Sequence, residues 1–116
     1  MKDDWVYVQH ILDAIAQIER YVKNLTYKKF MRARLVQDGV IRQITIIGEA
    51  SRQTAPDFQS AHPEIPWADV IGMRNILVHD YLGVNLNDVW EVTQEDLPKL
   101  KKQLKQILRD AREKPG

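Results

Sequence analysis

The sequence contains no cysteine and only three histidines among its 116 residues. The absence of cysteine excludes disulfides, thiolate chemistry and metal centres built on sulfur. The histidines, at positions 10, 62 and 79, are scattered and lack the spacing of a zinc-ligand pair. Glycine-rich phosphate loops and a serine-centred catalytic triad are missing as well. We therefore expect neither a metal site nor a cofactor.

Glycine and proline are also few, with five residues each, while 44% of the chain is hydrophobic and 28% is charged. This composition is typical of a helical globular protein, and the length suits one domain over residues 1–116. The opening stretch MKDDWVYVQHILDAIAQIERYV has acids before its apolar residues and polar residues among them. That pattern argues against a signal peptide and a membrane span. We expect a cytoplasmic protein with no membrane attachment.

The formal net charge of +1 provides no overall excess of cations that would indicate a nucleic-acid-binding protein. Two local clusters of cations do occur, and the simpler interpretation of both is a solvated helix face. They are Lys28, Lys29, Arg32 and Arg34, and Lys99, Lys101, Lys102, Lys105 and Arg109.

Apolar residues recur at spacings of three and four, which predicts amphipathic helices. The first helix is expected to begin at Asp3 as N-cap and to run to Leu25, and the second to cover residues 27–53, loosened at Asp38-Gly39. Residues 54–66 contain three prolines and are predicted to form a connector with one short helical turn. The predicted inward-facing residues are Val8, Ile11, Leu12, Ile15, Ile18, Val22 and Leu25, then Phe30, Met31, Leu35, Val40, Ile41, Ile44, Ile47 and Ala50.

A third long helix is expected to begin at Pro66 and to end at Gly83, with Trp67, Val70, Ile71, Leu77 and Val78 on its apolar side. A short segment at 86–92 follows. Thr93 and Asp96 resemble a capping box that opens the last helix. Its predicted inward-facing residues are Leu97, Leu100, Leu104, Ile107, Leu108 and Ala111. The sequence thus predicts an all-α fold, a four-to-five-helix antiparallel bundle.

The third helix carries the segment RNILVHDY at residues 74–81. On a regular helix Asn75 and His79 stack on one side, and Arg74 lies about 140° around from His79 and roughly 7.5 Å along the axis. Tyr81 shares a line with Arg74. This polar arc has no evident role in folding, although a single histidine near a helix end can also cap carbonyl groups.

A guanidinium matches phosphate oxygens, and an imidazole takes or gives a proton near neutral pH. Metal-free RNA cleavage needs both groups, because a 2′-hydroxyl must lose a proton, a 5′-oxygen must gain one, and the phosphorane charge must be stabilised. One histidine cannot stand on both sides of the phosphorus. Two helices related by a two-fold axis would bring each Arg74 toward the partner's His79, which favours a homodimer.

The segment RNILVHDY resembles the Arg-x4-His-x-Tyr signature of HepT-like toxins, a branch of the HEPN (higher eukaryotes and prokaryotes nucleotide-binding) superfamily. Further matches to that family follow in order along nearly the whole chain. They are Ile47-Gly48-Glu49-Ala50, Ile65-Pro66-Trp67, Gly72-Met73, Val89-Trp90 and Asp96-Leu97-Pro98.

The resemblance implies a toxin that cleaves RNA as a dimer, without metal, with Arg74 and His79 as catalytic residues and Asn75 as a polar helper. It also implies a cognate minimal nucleotidyltransferase antitoxin that transfers AMP to Tyr81, adding charge and bulk beside the imidazole. A plain aromatic role for Tyr81 is the alternative. Two other functions stay open, namely a non-catalytic helical dimer that helps a nucleotidyltransferase hold nucleotide or substrate, and a purely structural dimer.

Glu49 is the one charge in the run IIGEA, and we expect it to hold Arg74 in place, with an ordinary surface position as the alternative. Gly48 either permits close helix approach or is simply small. The tryptophans Trp5, Trp67 and Trp90 are expected to anchor the core or a subunit contact. His10 and His62 have no charged companions at a useful spacing and are predicted to be surface or packing residues.

Overall fold

The computed structural model describes the backbone of residues 3–78 and 85–113, and the side chains of these residues other than 75–78. The described ranges are helical throughout, with short connections and no strand. The all-α prediction is confirmed. The helices are α1 (Asp4–Val22), α2 (Tyr27–Phe30), α3 (Arg34–Gln53), α4 (Pro56–Ala61), α5 (Trp67–Val78), α6 (Leu86–Glu91) and α7 (Leu97–Glu113), with a π-helical turn (Val92–Asp96) between the last two.

Helices α1 and α3 form the most extensive contact, and α5 packs chiefly on α3. The N-cap prediction for α1 is confirmed, because an Asp3 carboxylate oxygen accepts a hydrogen bond from the Trp5 backbone N–H at 3.0 Å. The apolar stripes of α1, α3 and α7 meet in one core. Its fully buried members include Val8, Ile11, Ile15, Ile18, Val40, Ile44, Ile47, Leu97, Leu104 and Ile107.

The second predicted helix is two helices, and the predicted loosening at Asp38-Gly39 is wrong. The break falls at residues 31–33, where the Gln37 side-chain amide donates to the Phe30 carbonyl oxygen at 2.8 Å and holds the turn. Gly39 lies within the regular part of α3. A Cβ there would stand 2.9 Å from Tyr21 Cε2, so the glycine serves close contact with α1 and not flexibility.

This break also explains two errors among the predicted inward-facing residues. Leu35 is 86% exposed and Met31 is 36% exposed, because the turn rotates both away from the core. Ala111, near the end of α7, is exposed as well. Phe30, by contrast, is fully buried and packs on Trp90, with ring centroids 5.1 Å apart.

The connector over residues 54–66 contains one short helix, α4, as predicted. Helix α5 begins at Trp67, directly after Pro66, whose carbonyl oxygen accepts from the Val70 N–H at 3.0 Å. The predicted end of this helix at Gly83 lies outside the described residues.

The predicted capping box at Thr93 and Asp96 is wrong. Helix α6 continues through the π-helical turn into α7, so the backbone N–H groups there already have carbonyl partners. The Thr93 hydroxyl instead donates to the Trp90 carbonyl oxygen at 2.6 Å. A cap forms at the start of α6, where the Asn85 side-chain oxygen accepts from the N–H groups of Asn87 and Asp88 at 3.1 and 3.3 Å.

The three tryptophans pack against the core, as predicted. Trp5 and His62 join an aromatic cluster around Phe58, with ring centroids 5.1 Å and 4.6 Å from it. His10 is exposed. Among the helices that the structure describes, none combines the length and the apolar character needed to cross a membrane.

Candidate active site

The contact between α3 and α5 is close at Gly48. A Cβ built on Gly48 would lie 3.4 Å from the Arg74 Cβ and 3.5 Å from the Ile71 carbonyl oxygen. These are ordinary packing distances for one methyl group but leave no room for a larger side chain. The small residue therefore lets α5 lie directly on α3 at the level of Arg74. Of the two interpretations of Gly48, close helix approach fits the structure.

The next residue on α3, Glu49, binds Arg74. The Arg74 Nη1 atom donates to Glu49 Oε1, and 43% of each side chain is exposed to solvent. The structure thus brings together these two residues, which stand 25 positions apart in the sequence. An ion pair this exposed contributes about 0–1 kcal/mol to stability, because water screens it and both side chains lose entropy. Its larger effect is to fix the direction of the guanidinium.

A guanidinium has five N–H donors in a planar fork, and its second edge remains for another ligand when one edge is held by a carboxylate. Among the described residues, Glu49 is the one carboxylate within salt-bridge distance of Arg74. Arg74 is therefore an anchored and partly exposed cation on the surface of α5. A phosphate oxygen is the kind of ligand that this arrangement suits.

The other predicted site residues can be placed only in part. Asn75 follows Arg74 in α5, and its side chain is not described. His79 and Tyr81 lie outside the described residues. The predicted distance of Arg74 from His79 therefore stays a prediction.

A shallow groove of about 280 Å³ between α1 and α3 borders Glu49. Tyr7 and His10 line its α1 side, with ring centroids 6.1 Å apart in an edge-on arrangement. Sequence reasoning did not connect these rings with the site. Their spacing of three residues on α1 was the available signal, but only the pairing of α1 with α3 places them near Glu49. The full lining is Tyr7, His10, Thr45, Ile46, Glu49, Ala50 and Gln53.

A second, larger cleft of about 480 Å³ lies between α5 and α7. Gly72 lines it and falls about 160° around α5 from Arg74, so this cleft is on the other side of the helix. Burial raises the pKa of the Asp96 carboxyl, the nearby Glu95 and Asp69 raise it further, and Lys99 opposes them. Within the described ranges no three His, Asp or Glu side chains cluster closely enough to hold a metal ion.

The chain matches the protein family described as "Ribonuclease HepT-like" over residues 11–107. This span includes Glu49, Arg74, His79 and Tyr81, and it covers most of the described helices. No solved structure matches the chain.

Curated proteins of similar sequence come from archaea and bacteria. The chain is 41% identical over 109 residues to "Gamma-glutamylcyclotransferase and putative RNase MJ0434" of Methanocaldococcus jannaschii, an alignment that covers 94% of this chain and 49% of that protein. It is 40% identical to "Probable ribonuclease HepT" of Thermococcus cleftensis, over 82% of this chain and 86% of the relative. It is 34% identical to "Putative RNase TTE0752" of Caldanaerobacter subterraneus, over 93% and 96%. The chain spans about half the length of the first relative and most of the other two.

Proposed function

This chain belongs to the HepT-like ribonuclease family and is an endoribonuclease, and we propose that Arg74 and His79 carry out the cleavage without a metal ion. The observation that carries the proposal is the anchored position of Arg74. Its guanidinium is held by Glu49 and is still 43% exposed, so it is oriented and accessible at once.

In the proposed reaction an imidazole of His79 removes the proton of an RNA 2′-hydroxyl. The 2′-oxygen then attacks the adjacent phosphorus, the bond from phosphorus to the 5′-oxygen breaks, and the 5′-oxygen receives a proton from an imidazolium. The products are a 2′,3′-cyclic phosphate and a 5′-hydroxyl. Arg74 binds the scissile phosphate and stabilises the charge of the phosphorane. Asn75 is proposed to assist by hydrogen bonding at the same phosphate.

Two copies of the chain are proposed to form the cleft. One imidazole cannot act on opposite sides of the phosphorus, and a two-fold dimer supplies two. The composition of α5 supports this arrangement, since seven of its 12 residues are large and apolar. A helix that packs chiefly on α3 needs only one apolar stripe.

We further propose that the chain is the toxin of a pair whose antitoxin is a minimal nucleotidyltransferase. Transfer of AMP to the Tyr81 hydroxyl would place a phosphodiester two residues from His79. Its negative charge and bulk would exclude the RNA phosphate from the cleft. In this scheme the modification silences cleavage without unfolding the chain.

The catalytic proposal is tested with purified protein, a defined RNA and EDTA. We expect the wild type to cleave, His79→Ala to lose at least a hundredfold in rate, and Arg74→Ala to lose about a hundredfold or more. Expression of His79→Ala should also relieve growth arrest. Cleavage that continues in both variants would contradict the assigned roles. A wild type that binds but does not cleave would favour the non-catalytic helical dimer that holds nucleotide for a nucleotidyltransferase.

The regulatory proposal is tested by intact-mass spectrometry of the chain co-produced with its nucleotidyltransferase. We expect mass increments of whole AMP units in the wild type and their absence in Tyr81→Phe. The matched control is Tyr27→Phe, which removes a hydroxyl from an exposed tyrosine on α2. Equal AMP addition to wild type and Tyr81→Phe would refute Tyr81 as the acceptor.

A further inference from the structure

The cations of this chain are unevenly distributed. Six of the 17 Lys and Arg residues lie in residues 20–37, here called the basic segment, and none of the 16 acidic residues does. The remainder of the chain therefore carries 11 cations against 16 acids. The net charge of the chain is close to zero because the positive charge of the basic segment is balanced by the negative charge of the remainder.

Four cations of the basic segment form one exposed patch, here called the α2 patch: Lys28, Lys29, Arg32 and Arg34. All four are exposed, and among the described residues no carboxylate lies within 4.0 Å of them. Lys101, on α7, shows the contrast, because it pairs with Glu19 at 3.0 Å. Each cation of the α2 patch is therefore available to bind an anion.

Folding gives no reason for this concentration of charge. Arg34 occupies the first turn of α3, which contains no acidic residue. A cation in that position faces the positive end of the helix dipole, which is unfavourable. Arg34 is present even though the helix dipole disfavours a cation at this position.

The backbone that carries the α2 patch is well fixed. The Thr26 hydroxyl accepts from the Lys29 N–H at 3.2 Å and caps α2. The Gln37 amide donates to the buried Phe30 carbonyl, and the Phe30 ring packs on Trp90. Tyr27, the residue before Lys28 on α2, is 46% exposed, and its ring lies edge-on to Trp90. Fixed cations combined with a partly exposed aromatic ring suit single-stranded nucleic acid.

We propose that the α2 patch binds the RNA backbone away from the cleavage point, an inference that rests on the proposed ribonuclease function. One uninterrupted helix, α3, links Arg34 of the patch to Glu49 of the site. The two residues stand 15 positions apart, which corresponds to about 22 Å along the helix axis. At about 3.4 Å per nucleotide of a stacked strand, this equals roughly six to seven nucleotides.

Acids near the patch are Asp38, exposed and four residues after Arg34 on α3, and those of α6, which contacts α2 through Asn87 and Trp90 against Tyr27. Asp88 and Glu91 of α6 are exposed. They would repel a strand that crossed α6, whereas α3 carries the exposed Arg42 as well as Asp38, so the strand is expected to follow α3 instead. An acidic protein surface is the other occupant that the charges allow, and the experiment separates the two.

The test compares two fourfold variants that remove the same charge. The patch variant is Lys28→Gln, Lys29→Gln, Arg32→Gln and Arg34→Gln, and the control is Lys99→Gln, Lys102→Gln, Lys105→Gln and Arg109→Gln on α7. Each is combined with His79→Ala, so that RNA is bound but not cleaved. Affinity for a 20-nucleotide RNA is measured by fluorescence anisotropy from 50 to 300 mM salt. Thermal melting shows whether each variant is folded. If the fourfold patch variant does not fold, the double variant Lys28→Gln/Lys29→Gln replaces it in the comparison.

We expect the patch variant to bind the 20-nucleotide RNA at least tenfold more weakly. Its slope of log affinity against log salt should fall by about 0.7 for each phosphate that the variant no longer neutralises, or roughly two to three in all. The control should change both quantities much less. Equal reductions of affinity in both variants would overturn the proposal. An unchanged affinity in the patch variant would overturn it as well, and would leave an acidic protein surface as the partner of the patch.

A length comparison separates this inference from the catalytic proposal. With His79 intact, the patch variant should raise KM for the 20-nucleotide RNA at least tenfold while leaving kcat unchanged. Cleavage of a tetranucleotide should be the same in patch variant and wild type, because four stacked nucleotides span only about 14 Å of the roughly 22 Å. A wild type that fails to cleave either RNA would refute the catalytic proposal, whereas the binding experiment would still decide the role of the patch.

Discussion

Arg74 is fixed by a single carboxylate while nearly half of its side chain faces solvent. The sequence made this contact predictable, because Glu49 is the one charge in an apolar run of a predicted helix. The shallow groove between α1 and α3, which Tyr7 and His10 line, was not predictable in the same way. Their placement depends on the register between α1 and α3, which the spacing of apolar residues does not specify.

Glu49→Gln should separate stability from catalysis. The glutamine keeps the size of the side chain but removes the charge that orients Arg74. We expect the free energy of unfolding to change by less than about 1 kcal/mol, since the pair is exposed. The rate of RNA cleavage should fall by about ten- to a hundredfold, because a displaced guanidinium no longer meets the phosphorane. Urea denaturation and single-turnover cleavage measure the two effects, and an unaltered cleavage rate would remove Glu49 from the site.

Asp96 provides a pH-dependent prediction. Burial raises the pKa of its carboxyl above the ordinary 3.8, with Glu95 and Asp69 adding to the effect and Lys99 opposing it. The folded state thus holds this proton to a higher pH than the unfolded chain does. Stability contributed by the protonated form is present at acid pH and is lost as pH rises through the raised pKa. Asp96→Asn should therefore increase the free energy of unfolding at pH 7.

The gain from Asp96→Asn should shrink as the pH is lowered through the raised pKa, because the wild-type carboxyl then becomes protonated as well. Urea denaturation at several pH values measures this dependence. Asp38→Asn, which removes an exposed carboxyl from α3, is the comparison. A stability gain that stays constant with pH, or a decrease at pH 7, would contradict the assignment.

At the scale of helices, the positions of the core helices could be predicted and two of their ends could not. The penalty for glycine in a helix suggested a weak point at Gly39, but the Tyr21 ring against it turns that residue into a packing contact. The real break at residues 31–33 contains neither glycine nor proline. It depends on the tertiary hydrogen bond from Gln37 to Phe30. Likewise, the pattern of Thr93 and Asp96 suits a cap, but continuous helix leaves nothing there to cap.

Gly48 tests how closely α5 must lie on α3. Gly48→Ala adds a methyl group at ordinary contact distance, 3.4 Å from Arg74 Cβ, and gains helix propensity. We expect it to be neutral or to stabilise the chain by up to about 1 kcal/mol. Gly48→Leu would push α5 off α3, costing about 1–3 kcal/mol, and would separate Glu49 from Arg74. Thermal melting and cleavage assays check both variants.

The pair of Gly48 variants is informative because each controls for the other. Gly48→Ala should retain cleavage, whereas Gly48→Leu should abolish it at a temperature where the chain is still folded. If Gly48→Leu cleaved RNA normally, the contact between α3 and α5 would not be what orients Arg74.

At the scale of the whole molecule, the described helices account for one apolar core, and α5 is richer in apolar residues than its contact with α3 requires. The chemistry of the motif predicts a dimer as well, because one imidazole cannot serve both oxygens at phosphorus. The apolar composition of α5 and the proton transfers at phosphorus are independent reasons to expect this dimer.

Mixed dimers test the shared cleft directly. Wild type and His79→Ala are unfolded together in equal amounts and refolded, so that subunits combine at random. If the cleft needs an imidazole from each subunit, only about a quarter of the dimers are active, and activity per wild-type chain falls to about half. Refolding with an equal amount of Lys102→Ala, an exposed position on α7, should cause no such fall. Activity per wild-type chain that is unaffected by His79→Ala would mean that each chain cleaves with its own imidazole alone.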